Sequence, residues 1–182
     1  MNTPAHQIVT ALAQHIRIPC KLTLFGGGAM DLAYDRNRYT EDLDILVRPA
    51  TLEAYAAEGL GESVNACNAD LKAAGLYISH FWAPDQEVLV SGWETDLRTI
   101  RPFWDNALLQ LHALNPLAMI ASKLARFDDQ DQGDIRHLIQ GGWIKPEELR
   151  ALPATLLIPR AWEIEAPHVR RRAEQIAHDG AC

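Results

Sequence analysis

Residues 21–25, Lys-Leu-Thr-Leu-Phe, read as a short strand that runs directly into three consecutive glycines, Gly26, Gly27 and Gly28. A helical stretch from Ala29 to about Tyr34 follows, then a polar run. Next comes Asp42-Leu43-Asp44-Ile45-Leu46-Val47, whose aliphatic and β-branched end marks a second strand. Two strands joined through a glycine turn and a helix require a sheet with a helix laid against it, because each element must bury an apolar face. Strand-like segments at 76–82, 88–90, 96–100 and 108–112 extend that sheet, and only helical patterns come after them. The expected fold is α+β, a mixed β-sheet flanked by helices and followed by a helical C-terminal part. Residues 1–112 form the expected core and residues 113–182 the helical part packed on it.

Helix signals frame this order. Thr3 and Pro4 supply a capping hydroxyl and a first-turn proline for a helix whose apolar face is Ile8, Val9, Leu12 and Ile16, and Pro19 ends that segment. Residues 51–74 are helical in character, interrupted at Gly59 and Gly61 and closed by Gly75. Asn115 and Pro116 repeat the cap-and-proline pattern, with Leu117, Ile120, Ala121 and Leu124 at i, i+3, i+4, i+7. A further helix runs from about Asp131 to Gln140.

At 182 residues with 48% apolar side chains, the chain can bury a substantial core. No apolar run approaches the ~20 residues that span a bilayer, so no membrane partner is expected. The formal charge of −7, from 17 basic and 24 acidic residues, gives no general attraction to nucleic acid or anionic lipid. Cys20, Cys67 and Cys182 cannot all pair within the chain, and none lies in a CxxC spacing. The expected compartment is the reducing cytoplasm.

The sharpest chemical feature is the pair Asp42 and Asp44. Side chains alternate along a strand, so both carboxylates point the same way while Leu43 and Ile45 point into the core. Two such charges repel and lose solvation unless a cation lies between them. Magnesium suits the pair because it takes one or two protein carboxylates and fills its other positions with water and phosphate oxygens. The other reading is two solvated acids at the mouth of a strand. The glycine triplet, between strand and helix, can turn backbone N–H groups toward an anion with no side chain in the way, or serve as a chain reversal only. It is neither a GxxxxGK loop nor a GxGxxG, since Asp31 takes the place of the last glycine.

Together, Leu24-Phe25-Gly26-Gly27-Gly28-Ala29 and Thr40-Glu41-Asp42-Leu43-Asp44-Ile45 resemble the signature of the nucleotidyltransferase (polymerase β-like) superfamily. In that family a Gly-Gly or Gly-Ser turn lies one helix ahead of an Asp-x-Asp strand. The resemblance implies a nucleotidyltransferase-like sheet, phosphate binding at Gly26 and Gly27, and Mg2+ held by Asp42 and Asp44. Residues 117–126, followed by Asp131 and Asp134-Ile135, look like a segment of the bacterial subgroup that includes AbiEii-type abortive-infection toxins. That likeness implies a phosphate-binding Lys123 with Arg126 on the same helix face, and Asp131 or Asp134 as a supporting acid. An ordinary salt-bridge cluster joining two helices is the alternative for these four residues. The superfamily usually adds a third carboxylate on a later strand. Asp85, Glu87, Glu94 and Asp96 are the candidates here, with Glu87 beside Val88-Leu89-Val90 the first choice.

The activity so implied is magnesium-dependent transfer of a nucleoside monophosphate from a nucleoside triphosphate (NTP) to an RNA, tRNA, protein or small-molecule acceptor, with release of pyrophosphate. The toxin likeness adds an antitoxin protein as a partner. A non-catalytic nucleotide- or partner-binding protein of the same fold is the other reading. The seven histidines show no HxxxH spacing, the five tryptophans are scattered and read as packing anchors, and Arg170-Arg171-Arg172 reads as a solvated helix face.

Overall fold

The computed structural model describes residues 3–180. In chain order the elements are α1 (Pro4–His15), β1 (Cys20–Phe25), α2 (Gly26–Tyr34), β2 (Asp42–Leu46), α3 (Pro49–Ala57), α4 (Leu60–Leu71), β3 (Tyr77–Trp82), β4 (Leu89–Val90), β5 (Arg98–Thr99), β6 (Leu109–Ala113), α5 (Pro116–Ser122), α6 (Asp129–Gln140), α7 (Pro146–Arg150), α8 (Leu152–Thr155), β7 (Leu156–Leu157) and α9 (Ala166–Asp179). The fold is a mixed α+β arrangement around a five-stranded sheet flanked by helices. Two compact units divide the chain, one of residues 3–83 with Arg98–Ala113, the other of Pro84–Leu97 with residues 114–180.

The first unit carries the sheet, in the order β3-β2-β1-β6-β5. β1 pairs antiparallel with β2 and parallel with β6, β2 pairs parallel with β3, and β5 pairs antiparallel with β6. Following the register, Leu22, Leu24, Leu43, Ile45, Ile78 and Leu111 share one sheet face and are all buried. The opposite face presents Lys21, Thr23, Asp42, Asp44, His80 and His112. Burial and then the charge of Lys21 hold the His112 imidazole below its ordinary pKa, consistent with both groups lying on that face.

Helix α1 begins as its sequence predicts, with Thr3 Oγ1 accepting from the His6 amide and Pro4 in the first turn. Ile8, Val9 and Leu12 are buried, and α1 packs along α4, where the Cys67 thiol faces the Ile8 carbonyl. The Asn106 amide donates to the carbonyls of Ala13 and Ile16, which satisfies acceptors that the helix end leaves open.

The second unit also takes in Pro84–Leu97, a segment whose strand signal suggested the main sheet. The reason is β7, a two-residue strand after α8 with no alternation to betray it, which pairs antiparallel with β4. Helix α9 buries Val169, Ala173 and Ala177, the inner stripe of an otherwise charged helix. Cys20 and Cys67 are free and buried, and burial, with the charge of Asp70 added at Cys67, pushes their thiol pKa values up to about 11 and about 12, which favours the neutral thiol in both. Cys182 lies outside the described residues. Among those residues, no helix is long and apolar enough to cross a membrane.

Candidate phosphate and metal site

The glycine triplet is the first turn of α2 itself, rather than a loop ahead of it. Glycine is a poor helix former, destabilising a helix by roughly 1 kcal/mol relative to alanine, so three in succession need a packing reason. A Cβ built on Gly28 would overlap the Leu43 side chain, and one on Gly26 would overlap Asp44 Oδ2. A Cβ on Gly27 would lie 3.1 Å from Thr40 Oγ1, 3.2 Å from Thr40 Cβ and 3.4 Å from Arg38 Nε. Bare backbone therefore lets α2 lie close on β2, with the Asp44 carboxylate against the first residue of the helix. Gly26 also has φ of 65°, a left-handed conformation that favours glycine.

This arrangement explains how two like charges sit on one strand face. The N-cap residue of α2, Phe25, has no side-chain oxygen to cap it, and the positive N-terminal end favours the nearby Asp44 carboxylate. The Thr40 hydroxyl donates to Asp42 Oδ1 at 3.1 Å. Both acids are half-buried. The donor chemistry fits magnesium, which needs only one or two protein carboxylates when phosphate and water complete its shell. Among the described residues, no group of three or more His, Cys, Asp or Glu side chains is placed to hold a metal ion. Asp42 and Asp44 would hold the ion, and the remaining positions would fall to the substrate.

Arg38, Thr40 and His80 were not expected at this site. Arg38 and Thr40 belong to the polar segment between helix and strand, where alternating Arg36 and Arg38 were the available signal. His80 is the register partner of Asp44 on β3. It is a histidine, whereas the expected third carboxylate was placed on a later strand. The four acids considered for that role, Asp85, Glu87, Glu94 and Asp96, all belong to the second unit, where Glu87 is buried.

The second unit holds Lys123, Arg126, Asp131 and Asp134 together. The expected outward helix face for Lys123 and Arg126 does not form. Helix α5 stops at Ser122, and residues 123–125 turn inward ahead of Phe127, whose φ is 55°. Lys123 Nζ lies 2.7 Å from Asp134 Oδ2 and 3.4 Å from Asp131 Oδ1, with side-chain exposures of 3%, 1% and 2% respectively. Arg126 completes the group from the surface, donating from Nε and Nη2 to the two Asp131 oxygens at 2.8 Å each. The turn is locked by Arg172, which donates to the carbonyls of Leu124 and Ala125 and lies over the Phe127 ring. Of the two readings of this segment, the ion-pair cluster is the one these contacts describe.

Burial alone would raise the Asp131 carboxyl, but the Arg126 hydrogen bonds and the charges of Lys123 and Arg126 outweigh it and hold the group below its ordinary value of 3.8. Its folded pKa is depressed, so its contribution to stability is complete above pH 3.8 and is lost as pH falls through the lower folded value. Urea midpoints should therefore fall from about pH 4 downward, and Arg126→Gln should flatten that acid limb. An unchanged limb in the variant would remove Arg126 as its source.

Comparison with family models, with curated proteins and with solved structures found no match for the chain.

Proposed function

We propose that the protein is a magnesium-dependent nucleotidyltransferase of the polymerase β-like type, transferring a nucleoside monophosphate from an NTP to an acceptor hydroxyl. The observation that carries this reading is the placement of Asp42 and Asp44 on one face of β2, with Asp44 against the glycine start of α2. Carboxylates for a cation and a helix N-terminus for an anion then lie side by side, as a metal-bound triphosphate requires. When bound, magnesium would neutralise the charge that develops on the phosphate oxygens. The chain's own residues supply position. Gly26 and Gly27 begin α2 beside the carboxylates, Arg38 is the cation nearest to Gly27, and Thr40 orients Asp42. In the transfer, the acceptor oxygen forms a bond to the α-phosphorus, the bond to pyrophosphate breaks, and the acceptor proton passes to solvent.

Lys123 takes no part in this scheme because its ammonium is spent on Asp131 and Asp134. A toxin role with an antitoxin partner remains a proposal resting on the resemblance of residues 117–135 alone. The second reading, nucleotide binding without turnover, is favoured by one observation: a histidine, not an acid, is the register partner of Asp44 on β3.

Two measurements test the site. Asp42→Asn should lower magnesium-dependent NTP affinity about tenfold or more, the loss of one charge-assisted contact. Its stability should hardly change, since asparagine keeps the Oδ1 acceptor for Thr40. Asp44→Asn should lose similar affinity and, in addition, up to about 1 kcal/mol of favourable interaction with the α2 terminus. Calorimetric titration and melts read both, and undiminished magnesium-dependent affinity in the two variants would reject the site. Transfer itself is read by offering radiolabelled nucleotide, magnesium and total cellular RNA or protein. Label attached to neither leaves the binding reading in its place.

A further inference from the structure

The aromatic side chains of β3 line up beside the carboxylates. Register pairs Asp42 with Tyr77, Asp44 with His80 and Leu46 with Trp82, and paired residues in a ladder project from the same sheet face. The irregularity between Leu43 and Asp44 inserts Ser79 as an extra residue, so Tyr77 and His80 point the same way although three apart in sequence. His80 and Trp82 are in ring contact, centroids 5.4 Å apart and planes tilted 40°, and Trp82 meets Phe25, the residue that precedes Gly26, at nearly a right angle. Strand β3 is the sheet's edge. Tyr77 is 42% exposed and His80 is exposed, whereas Trp82 is half-buried at the inner end of the row.

A row of this kind is poorly explained by stability. Exposed aromatic rings on an edge strand bury little area, and edge strands usually carry charge or proline to discourage association. The Trp82 indole N–H is buried and has no acceptor among the described residues, a further local cost in the same place. Strand β3 lies one strand spacing, about 4.8 Å, from the strand that carries the carboxylates. A base attached to a phosphate group at the carboxylates is within reach of that neighbouring strand.

We propose that Tyr77, His80 and Trp82 form a stacking platform for a nucleobase, carried by the triphosphate substrate or by a single-stranded acceptor. The proposal rests on the reading of Asp42 and Asp44 as a phosphate site. Every base has a π-face, so a platform of rings recognises nucleic-acid chemistry without requiring one sequence. It also offers a site for nucleic acid that the net charge of −7 does not provide.

The test separates base from phosphate. With magnesium present, calorimetry compares the four ribonucleoside triphosphates with inorganic tripolyphosphate, which has no base. Fluorescence anisotropy compares a labelled single-stranded oligoribonucleotide with an abasic strand of equal length. In wild-type protein the base should raise affinity in at least one arm. His80→Ala and Tyr77→Ala should each remove about 5- to 30-fold of that gain, His80→Phe should restore it, and tripolyphosphate affinity should be unchanged in Tyr77→Ala. A gain confined to the triphosphates assigns the platform to the donor nucleotide, and one confined to the oligonucleotide assigns it to the acceptor. Absence of any base-dependent gain in wild type, or a gain that survives both alanine variants, overturns the platform, and the wild-type comparison needs no variant to fold. Tripolyphosphate that fails to bind wild type strikes instead at the phosphate site, while the oligonucleotide arm still judges the stacking.

Discussion

Lys123→Met should destabilise the protein by about 3–5 kcal/mol, the range found when one partner of a buried ion pair is removed. The lysine stem is replaced by an unbranched side chain of similar reach, so packing is largely kept and the loss is electrostatic. What remains is Asp134 without the cation 2.7 Å from its Oδ2, in surroundings that leave its side chain 1% exposed. Asp131 is less affected because Arg126 still donates to both of its oxygens. For a chain of this length each kcal/mol moves Tm by roughly 2–4 °C, so the melt should fall by about 6–20 °C.

The same variant discriminates between the roles available to Lys123. A lysine that touched the triphosphate would, on replacement, weaken NTP affinity and leave Tm in place. Because its ammonium already has two carboxylate partners, the expected outcome is the reverse: a lower melt and unaltered affinity of the folded fraction. Adding Asp134→Asn to Lys123→Met should recover part of the lost stability, since the buried carboxylate that lost its lysine is then neutral. A double variant no more stable than the single one would show that the lysine acts through packing and not through Asp134.

How much of this could be read from the residues follows from the range of the interactions involved. Local signals survived into the structure. Thr3-Pro4 and Asn115-Pro116 cap α1 and α5, where each cap is satisfied within three residues. The alternation in Asp42-Leu43-Asp44-Ile45 placed the two acids on the face opposite the core. Features set by distant partners were not legible. Gly26, Gly27 and Gly28 read as a turn because glycine rarely starts a helix, and the atoms that demand their smallness belong to Leu43, Asp44, Thr40 and Arg38. Lys123 read as an outward residue because the apolar stripe of α5 continues through Leu124, whereas the helix ends at Ser122. The Tyr77, His80 and Trp82 row depends on an irregular register that no periodicity reports, and so the tryptophans looked scattered. Four carboxylates near later strands competed as a third acid, yet the neighbour of Asp44 is a histidine on a strand where no acid occurs.

The glycine turn yields the sharpest paired comparison. Gly26→Ala places a Cβ where Asp44 Oδ2 now lies, at a φ of 65° that side-chain-bearing residues adopt at a penalty of roughly 1–2 kcal/mol. The carboxylate must withdraw from the α2 terminus, so its favourable interaction there is lost as well, and the combined destabilisation should reach about 2–3 kcal/mol. Moving Asp44 also breaks up the pair it makes with Asp42, so magnesium-dependent NTP affinity should fall about tenfold or more. Gly61→Ala is the matched control: it lies near the start of α4, nothing stands within 4 Å of its added Cβ, and its backbone is helical. That change should be neutral or stabilise by about 0.5–1 kcal/mol and leave affinity untouched. Urea denaturation and calorimetric titration on the two variants measure both quantities. Equal stability of the pair would mean that Asp44 can move off Gly26 freely. A destabilised Gly26→Ala protein with wild-type affinity would instead mean that the contact between Asp44 and the helix start holds the fold together and has no part in binding phosphate.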